Sequence, residues 1–239
     1  MDSKNFFNKL NDWDQKIILK VNGIGGKAFT ILLKVISFLG RETIWIFLMV
    51  YYLFIIYDPR LFSYISSIFL LGVVIIAPIK KCFNRDRPFE TLKDIRVLER
   101  KPMSRSFPSW HAYNVASQGL LFSFLLNSIG IAIIVLIVAI LVSFSRIQLG
   151  VHYPSDVIFG SFIGIIGFVI ARTILFPVLM KIVNLVEEVI EIPIYYQIIN
   201  PLLIENIFYL FIVIAMLIVI TLLAIHKRII ILLEHQSEK

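Results

Sequence analysis

The sequence predicts an all-α, polytopic membrane protein with a six-helix transmembrane core, an N-terminal amphipathic helix and an extra C-terminal helix. Two observations carry this prediction. First, 59% of the 239 residues are hydrophobic and the mean hydropathy is +0.88, where a soluble domain sits nearer half apolar. Second, the apolar residues fall into long runs divided by short polar turns. About 20 mostly apolar residues span a bilayer as a helix, and lipid offers the backbone no alternative partner.

Residues 1–27 come first. Phe6, Leu10, Trp13, Ile17 and Val21 recur at three- and four-residue steps, with Lys9, Asp12, Asp14, Lys16 and Lys20 between them. That pattern suits a helix lying in the membrane interface. Gly23, Gly25 and Gly26 end it. The segment lacks a continuous apolar core, so no cleavable signal peptide is expected.

The core is expected over 28–176. Its first apolar segment, 28–39, is short and contains Lys34; the second covers 43–57 and the third 61–79, with Asp58-Pro59-Arg60 as the turn between them. A long polar loop follows, 80–106. The fourth segment, 111–126, turns at Asn127-Ser128 into the fifth, 129–144. The sixth, 154–174, carries Gly160, Gly164 and Gly167, and small residues about one turn apart let helices approach closely. An extension, 177–239, completes the chain. Its stretch 178–199 mixes apolar residues with Lys181, Glu187, Glu188 and Glu191 and reads as interfacial, and 202–225 is an apolar run ending in His226-Lys227-Arg228. No internal repeat appears. The single cysteine, Cys82, excludes an intramolecular disulfide and leaves the redox compartment open.

Counting crossings puts residues 80–87, 109–111 and 146–156 on one side of the membrane. The N-terminal flank carries Lys4, Lys9, Lys16, Lys20 and Lys27, which argues for a cytoplasmic N-terminus and hence an external motif side. Basic residues of the long loop are discounted as retained for chemistry. An external motif side leaves the seventh apolar run with its basic tail outside, against the same rule.

Ionisable groups at a membrane boundary are costly unless they serve a polar cavity. Pro154 fits the first position of a helix, which sets Asp156 in the first turn, where the helix dipole favours a carboxylate. His152 lies just before that turn, close enough for Asp156 to bind one ring nitrogen and make the other a nucleophile. Arg146 offers a planar donor fork suited to phosphate. Pro108 again reads as a helix start, so the N–H groups of Ser109, Trp110 and His111 are expected as an anion site, with His111 able to protonate a leaving group. Lys80 and Arg87 add positive charge for a phosphoryl group. Taken singly each residue has a plainer reading: Lys80 snorkelling, Arg87 on a headgroup, Ser109 as a cap, either histidine satisfied at the interface, Arg146 and Asp156 as a salt bridge. Three motifs with fixed spacing on one face outweigh those readings together. A metal site is disfavoured because the loop lacks a ligand cluster and the cations would repel a metal. The net charge of +7 fits anionic headgroups or an anionic substrate without choosing between them.

Lys80-(x6)-Arg87-Pro88, Pro108-Ser109-Trp110-His111 and Ser145-Arg146-(x5)-His152-(x3)-Asp156 together resemble the type 2 phosphatidic acid phosphatase (PAP2) superfamily over roughly residues 30–175. Phe107 and the run Gly150-Val151-His152-Tyr153-Pro154-Ser155-Asp156 add to the resemblance. It implies a six-helix core and a metal-independent phosphatase that needs no cofactor. Its partners are then a membrane lipid phosphate and the bilayer, with no nucleic acid. By that resemblance His152 attacks phosphorus to give a phosphohistidine, Asp156 orients it and His111 protonates the leaving oxygen. Lys80, Arg87, Ser109, Trp110 and Arg146 hold the phosphate. Trp110 departs from the family's glycine; its backbone N–H survives, while its indole is expected to narrow access, stack on a substrate or demand a different local backbone angle. Substrates the resemblance implies are polyprenyl pyrophosphate, phosphatidic acid, phosphatidylglycerol phosphate and a lipid A phosphate, met at the outer leaflet. A phosphotransferase using the same phosphohistidine and a non-catalytic transporter or binding protein are the competing readings. His152→Ala separates the last from the first two.

Overall fold

The computed structural model describes the backbone of residues 3–190 and 199–237, and side chains of 5–189 and 199–223. Every regular element among them is helical. The order is α1 (Ser3–Val21), α2 (Gly26–Ser37), a 3-10 turn (Phe38–Gly40), α3 (Glu42–Val50), a π turn (Tyr51–Ile55), α4 (Pro59–Phe83) and the short α5 (Pro88–Thr91). Then come α6 (Trp110–Leu126), α7 (Ile129–Gln148), α8 (Pro154–Ile170), a second π turn (Ala171–Leu175), α9 (Phe176–Ile190), α10 (Leu202–Glu205) and α11 (Ile207–Ser237). Among the described residues, the stretches Pro59–Thr91, Ile129–Gln148 and Pro154–Val189 are long and apolar enough to cross a membrane. Ile133, Ile134, Leu136, Ile137 and Ile140 of α7 are all exposed, a contiguous apolar face that suits lipid rather than water. The protein is integral to a membrane.

The chain forms two compact units, residues 1–42 with 67–175 and residues 43–66 with 176–239. In the second, Tyr57 donates to Glu187 (2.7 Å), the Asn200 N–H donates to Ile55 O (2.7 Å), and the Tyr64 and Phe176 rings stack 3.6 Å apart. Of the interfacial stretch expected at 178–199, residues 191–198 with Glu191 lie outside the described residues, as do the side chains of His226, Lys227 and Arg228.

The first unit is built on α6, α7 and α8. Asn127 adopts a left-handed conformation (φ 43°) and Ser128 caps α7 by accepting from the Ile131 N–H at 3.5 Å, so the chain reverses where the sequence places the turn. α8 lays Gly160, Gly164 and Gly167 against α6. A Cβ at Gly160 would lie 2.5 Å from the Ser109 carbonyl oxygen, and one at Gly164 2.7 Å from that of Tyr113. Side chains there would force the helices apart at a cost of about 1–3 kcal/mol. The start of α6, the end of α7 and the start of α8 therefore share one end of the bundle.

The first apolar segment does not cross this bundle, contrary to the expected count. Near its start, Thr30 accepts from the Gln148 amide (3.0 Å); at its end, Ser37 accepts from Arg146 (2.8 Å) and Gly40 O from Asn114 (3.0 Å). All three partners belong to the motif end, so the twelve-residue α2 lies across that end. α1 docks there too, because Asp14 accepts from the Ser155 N–H at 2.8 Å. The N-terminal lysines and the motifs thus share a face. The parity argument that sets them on opposite sides fails, because it needs the short segment containing Lys34 to be a crossing.

Candidate active site

The site forms where α7 turns into α8. Gly150 has φ +77°, and a Cβ there would lie 2.6 Å from Arg96 O, so the tight turn needs a glycine. The N–H groups of Val151 and His152 then both donate to Arg146 O at 3.2 Å. This folds His152, 2% exposed, back under the start of α8.

His152 Nδ1 lies 3.4 Å from Asp156 Oδ2. That oxygen also accepts from the Tyr153 N–H (2.9 Å) and Ser106 Oγ (2.5 Å), and Oδ1 accepts from Arg85 (2.8 Å). Held so, the carboxylate favours the tautomer with Nδ1 protonated and Nε2 carrying the lone pair. Nε2 lies 3.4 Å from Arg87, whose fork is fixed by Val151 O (2.7 Å) and Ser104 O (2.7 Å). Lys80 donates to Arg105 O (2.5 Å) and Ser106 O (3.3 Å). Burial first, and then the cations Arg87, Lys80 and Arg146, hold the His152 imidazole well below its usual range. At neutral pH it is uncharged, the state a nucleophile requires.

Nε2 faces a cavity of about 430 Å³. Its lining combines the polar Lys80, Arg87, Arg146, His111, His152, Ser104 and Glu42 with Phe69, Val73, Ile76 and Ala77 of α4, Trp110 and Pro102. The Trp110 indole stacks on Tyr113 (centroids 5.7 Å apart) and meets Phe69 edge-on (5.8 Å). The lining thus offers cations for an oxyanion and apolar side chains for a hydrocarbon chain.

The PAP2 superfamily profile matches residues 60–179, half of the chain. This chain belongs to the PAP2 superfamily. It is 33% identical over 125 residues to an undecaprenyl-diphosphatase of Sulfolobus acidocaldarius, covering 52% of this chain and 60% of that protein's length. To the bacitracin transport permease protein BcrC of Bacillus licheniformis it is 31% identical over 146 residues, covering 59% of this chain and 71% of the relative. The crystal structure of Aquifex aeolicus LpxE superposes with a TM-score of 0.58 at 25% identity, over 66% of this chain and 93% of that one. A PAP2-type phosphatidylglycerolphosphate phosphatase from Bacillus subtilis gives 0.59 at 23% identity, over 69% and 85%, and supports the fold alone.

Within this PAP2 site the sequence-derived residues do not all stand as expected. His111, His152, Lys80, Arg87, Trp110 and Arg146 line one cavity, with Asp156 behind His152. Ser109 does not line it. Pro108 precedes the helix rather than opening it, so Ser109 is the α6 cap: its Oγ accepts from the Ala112 N–H (3.4 Å) and its N–H donates to Asp156 O (2.9 Å). The fork of Arg146 is not open either. It grips Glu99 in two-pronged fashion (3.0 and 2.5 Å), while its buried Nε has no hydrogen-bond partner among the described residues. Sequence reasoning passed over Glu99, Ser106, Arg85 and Asp14. Only Arg85, lying between Lys80 and Arg87, carried any signal; Glu99 and Asp14 look like ordinary surface charges.

Proposed function

We propose that this protein is a membrane phosphatase that removes phosphate from a lipid phosphate or diphosphate through a phosphohistidine. The observation carrying the reading is the placement of a buried, neutral imidazole between a carboxylate at Nδ1 and a guanidinium at Nε2, on a cavity lined by both cationic and apolar side chains. In the first step His152 Nε2 attacks phosphorus, the bond to the leaving oxygen breaks and His111 gives that oxygen its proton. Water then attacks the phosphohistidine and gives a proton to His111, releasing inorganic phosphate. Asp156 keeps Nε2 aimed and stabilises the imidazolium character that develops. Lys80, Arg87 and Arg146 neutralise charge on the phosphoryl oxygens; for Arg146 this requires Glu99 to give way to the substrate, a carboxylate exchanged for a phosphate on the same fork. Ser109 contributes by capping α6 and setting the position of His111.

Among the substrate classes, a polyprenyl diphosphate is the leading proposal. An undecaprenyl-diphosphatase is a 33% identical relative, and the apolar wall of α4 and Trp110 suits a slender hydrocarbon chain. Phosphatidic acid, phosphatidylglycerol phosphate and a lipid A phosphate remain the comparison substrates. We propose the outer leaflet for the substrate, which sets the lysine-bearing α1 outside together with the motifs, against the basic-flank rule; labelling the exposed Cys82 with a membrane-impermeant maleimide in intact cells tests this sidedness.

The test is phosphate release by detergent-purified protein over that panel in EDTA, with His152→Ala as control. Release from one lipid, lost in the variant, supports the reading and names the substrate. No release from any lipid by well-folded protein defeats it. Release only in the presence of an acceptor lipid gives the phosphotransferase reading instead.

A further inference from the structure

We propose that Asp14, carried on the N-terminal helix α1, is a positioning residue for the His152–Asp156 pair, acting through Arg85. The inference rests on the function proposed above for its chemical meaning, but its geometry stands independently. Asp14 has no exposed surface, although α1 is amphipathic and leaves Phe6, Phe7, Trp13 and Leu19 uncovered. Its Oδ1 accepts from the Ser155 N–H (2.8 Å), and its Oδ2 accepts from Ser155 Oγ (2.5 Å) and Arg85 (2.6 Å). The same guanidinium donates to Asp156 Oδ1 (2.8 Å) and lies 4.1 Å over the Tyr153 ring. Arg85 is therefore shared between two carboxylates, one on α1 and one on α8. Ile18, one turn further along α1, is fully buried with Ile95 and Tyr153, which fixes the helix over the site.

The consequence follows from charge. Asp156 has two oxygens: Oδ2 serves His152 and Oδ1 serves Arg85. With Asp14 sharing the guanidinium, Asp156 keeps more of its negative charge for the imidazole. Without Asp14, Arg85 falls wholly to Asp156, draws the carboxylate away from Nδ1 and leaves an uncompensated cation near the ring. The charged and titratable groups that surround His152 are Lys80 of α4, Arg85 and Arg87 of the following loop, His111 of α6, Arg146 of α7 and Asp156 of α8, with Asp14 and Glu99 one step behind. Among the described residues, Asp14, Glu99, Glu90 (which accepts from the Arg87 N–H at 2.6 Å) and Glu42 on the cavity bring negative charge from outside the family motifs. By analogy with the outer-shell partners of metal-bound histidines, losing such a partner is expected to cost about 10- to 100-fold in activity.

The experiment uses the full chain in nanodiscs and compares wild type, Asp14→Asn and Arg85→Lys. In Asp14→Asn, kcat is expected to fall by about 10- to 100-fold with KM within about twofold. The titration midpoint of His152, followed by nitrogen-15 NMR with His152→Ala for assignment, is expected to move down by about 0.5–1 pH unit. The NMR midpoint needs no substrate, so it tests the inference even if the proposed hydrolysis fails. An unmoved midpoint in folded Asp14→Asn overturns it, as does wild-type kcat in an otherwise active enzyme. If Asp14→Asn does not fold, Arg85→Lys decides: it keeps the charge but loses the two-carboxylate bridge. A lowered kcat at unchanged KM supports the proposal, and wild-type kcat overturns it.

Discussion

Two helices of the first unit begin with the same dipeptide, Pro108-Ser109 before α6 and Pro154-Ser155 at the start of α8, and the fold uses them in opposite ways. At α8 the proline occupies the first turn and the next two residues are enclosed. Ser155 gives both its N–H and its hydroxyl to Asp14, and Asp156 gathers donors from Tyr153, Ser106 and Arg85. At α6 the proline lies outside the helix, Ser109 is a simple cap, and the next two residues, Trp110 and His111, are half-buried on the cavity. One start is immobilised from behind and the other faces the cavity. That division suits the roles proposed for the two histidines, since a nucleophile needs a fixed line of attack while a general acid needs access to a leaving group.

The largest test of this contrast is the pair His152→Ala and His111→Ala. Removing the nucleophile is expected to cost at least about 10³-fold on every substrate. Removing the acid is expected to cost about 10²- to 10⁴-fold on a lipid monophosphate, whose alkoxide leaving group needs a proton. The loss should be smaller on a lipid diphosphate, whose leaving group is itself a phosphate. Equal losses on the two substrates would break the assignment of roles. The pH profile sharpens it. His152 is held below its usual pKa, so the neutral, nucleophilic form persists below the ordinary histidine value of about 6.5. Activity should hold as pH falls through about 6.5 and decline only at lower pH, where Nε2 takes a proton. A fall of kcat/KM already centred above that ordinary value contradicts the observed burial and cationic surroundings.

The meeting of His152 and Asp156 was legible in the sequence because its parts are local. Gly150, His152, Pro154 and Asp156 lie within one turn-and-helix start, where spacing and helix geometry settle who meets whom. The glycine seam of α8 and the reversal at Asn127-Ser128 were legible for the same reason. What escaped is long-range. Asp14 reaches Ser155 across 141 residues and Glu99 reaches Arg146 across 47, and neither pairing leaves a periodic trace. The segment 28–39 misleads because its hydropathy is the same whether it crosses the bilayer or lies across a bundle end. The hydrogen bonds of Thr30 to Gln148 and Ser37 to Arg146, with that of the following Gly40 to Asn114, separate the two.

A smaller effect is expected at Glu99. In Glu99→Gln the Arg146 fork loses its charged partner, and the site becomes more attractive to anions. Inhibition by inorganic phosphate should tighten by about 3- to 10-fold, an opposite-charge contribution of order 1 kcal/mol for partly buried groups. Weaker inhibition would mean that Glu99 holds Arg146 in place for phosphate rather than competing with it. At the open helix start, Trp110→Gly removes the indole between Phe69 and Tyr113. A two-chain lipid phosphate should gain about 3- to 10-fold in kcat/KM relative to a single-chain one, the scale typical of a pocket wall. Unchanged discrimination would confine the indole to helix packing.

The last prediction leaves activity aside and bears on why the α8 start can be closed from behind at all. Asp14 can enclose Ser155 only if α1 lies on the same membrane face as the motifs. Cys82, the chain's one cysteine, is exposed beside Lys80 and Lys81 at that end of α4, and Lys9 is exposed on α1. Two proteins are compared in sealed vesicles of uniform orientation: the wild type, and the double variant Lys9→Cys, Cys82→Ser, whose single thiol sits on α1. A membrane-impermeant maleimide should label both from the same side. Labelling from opposite sides would require α2 to cross the bilayer. Asp14 would then lie across the membrane from Ser155 and Arg85, and the immobilised start of α8 would lose its backing.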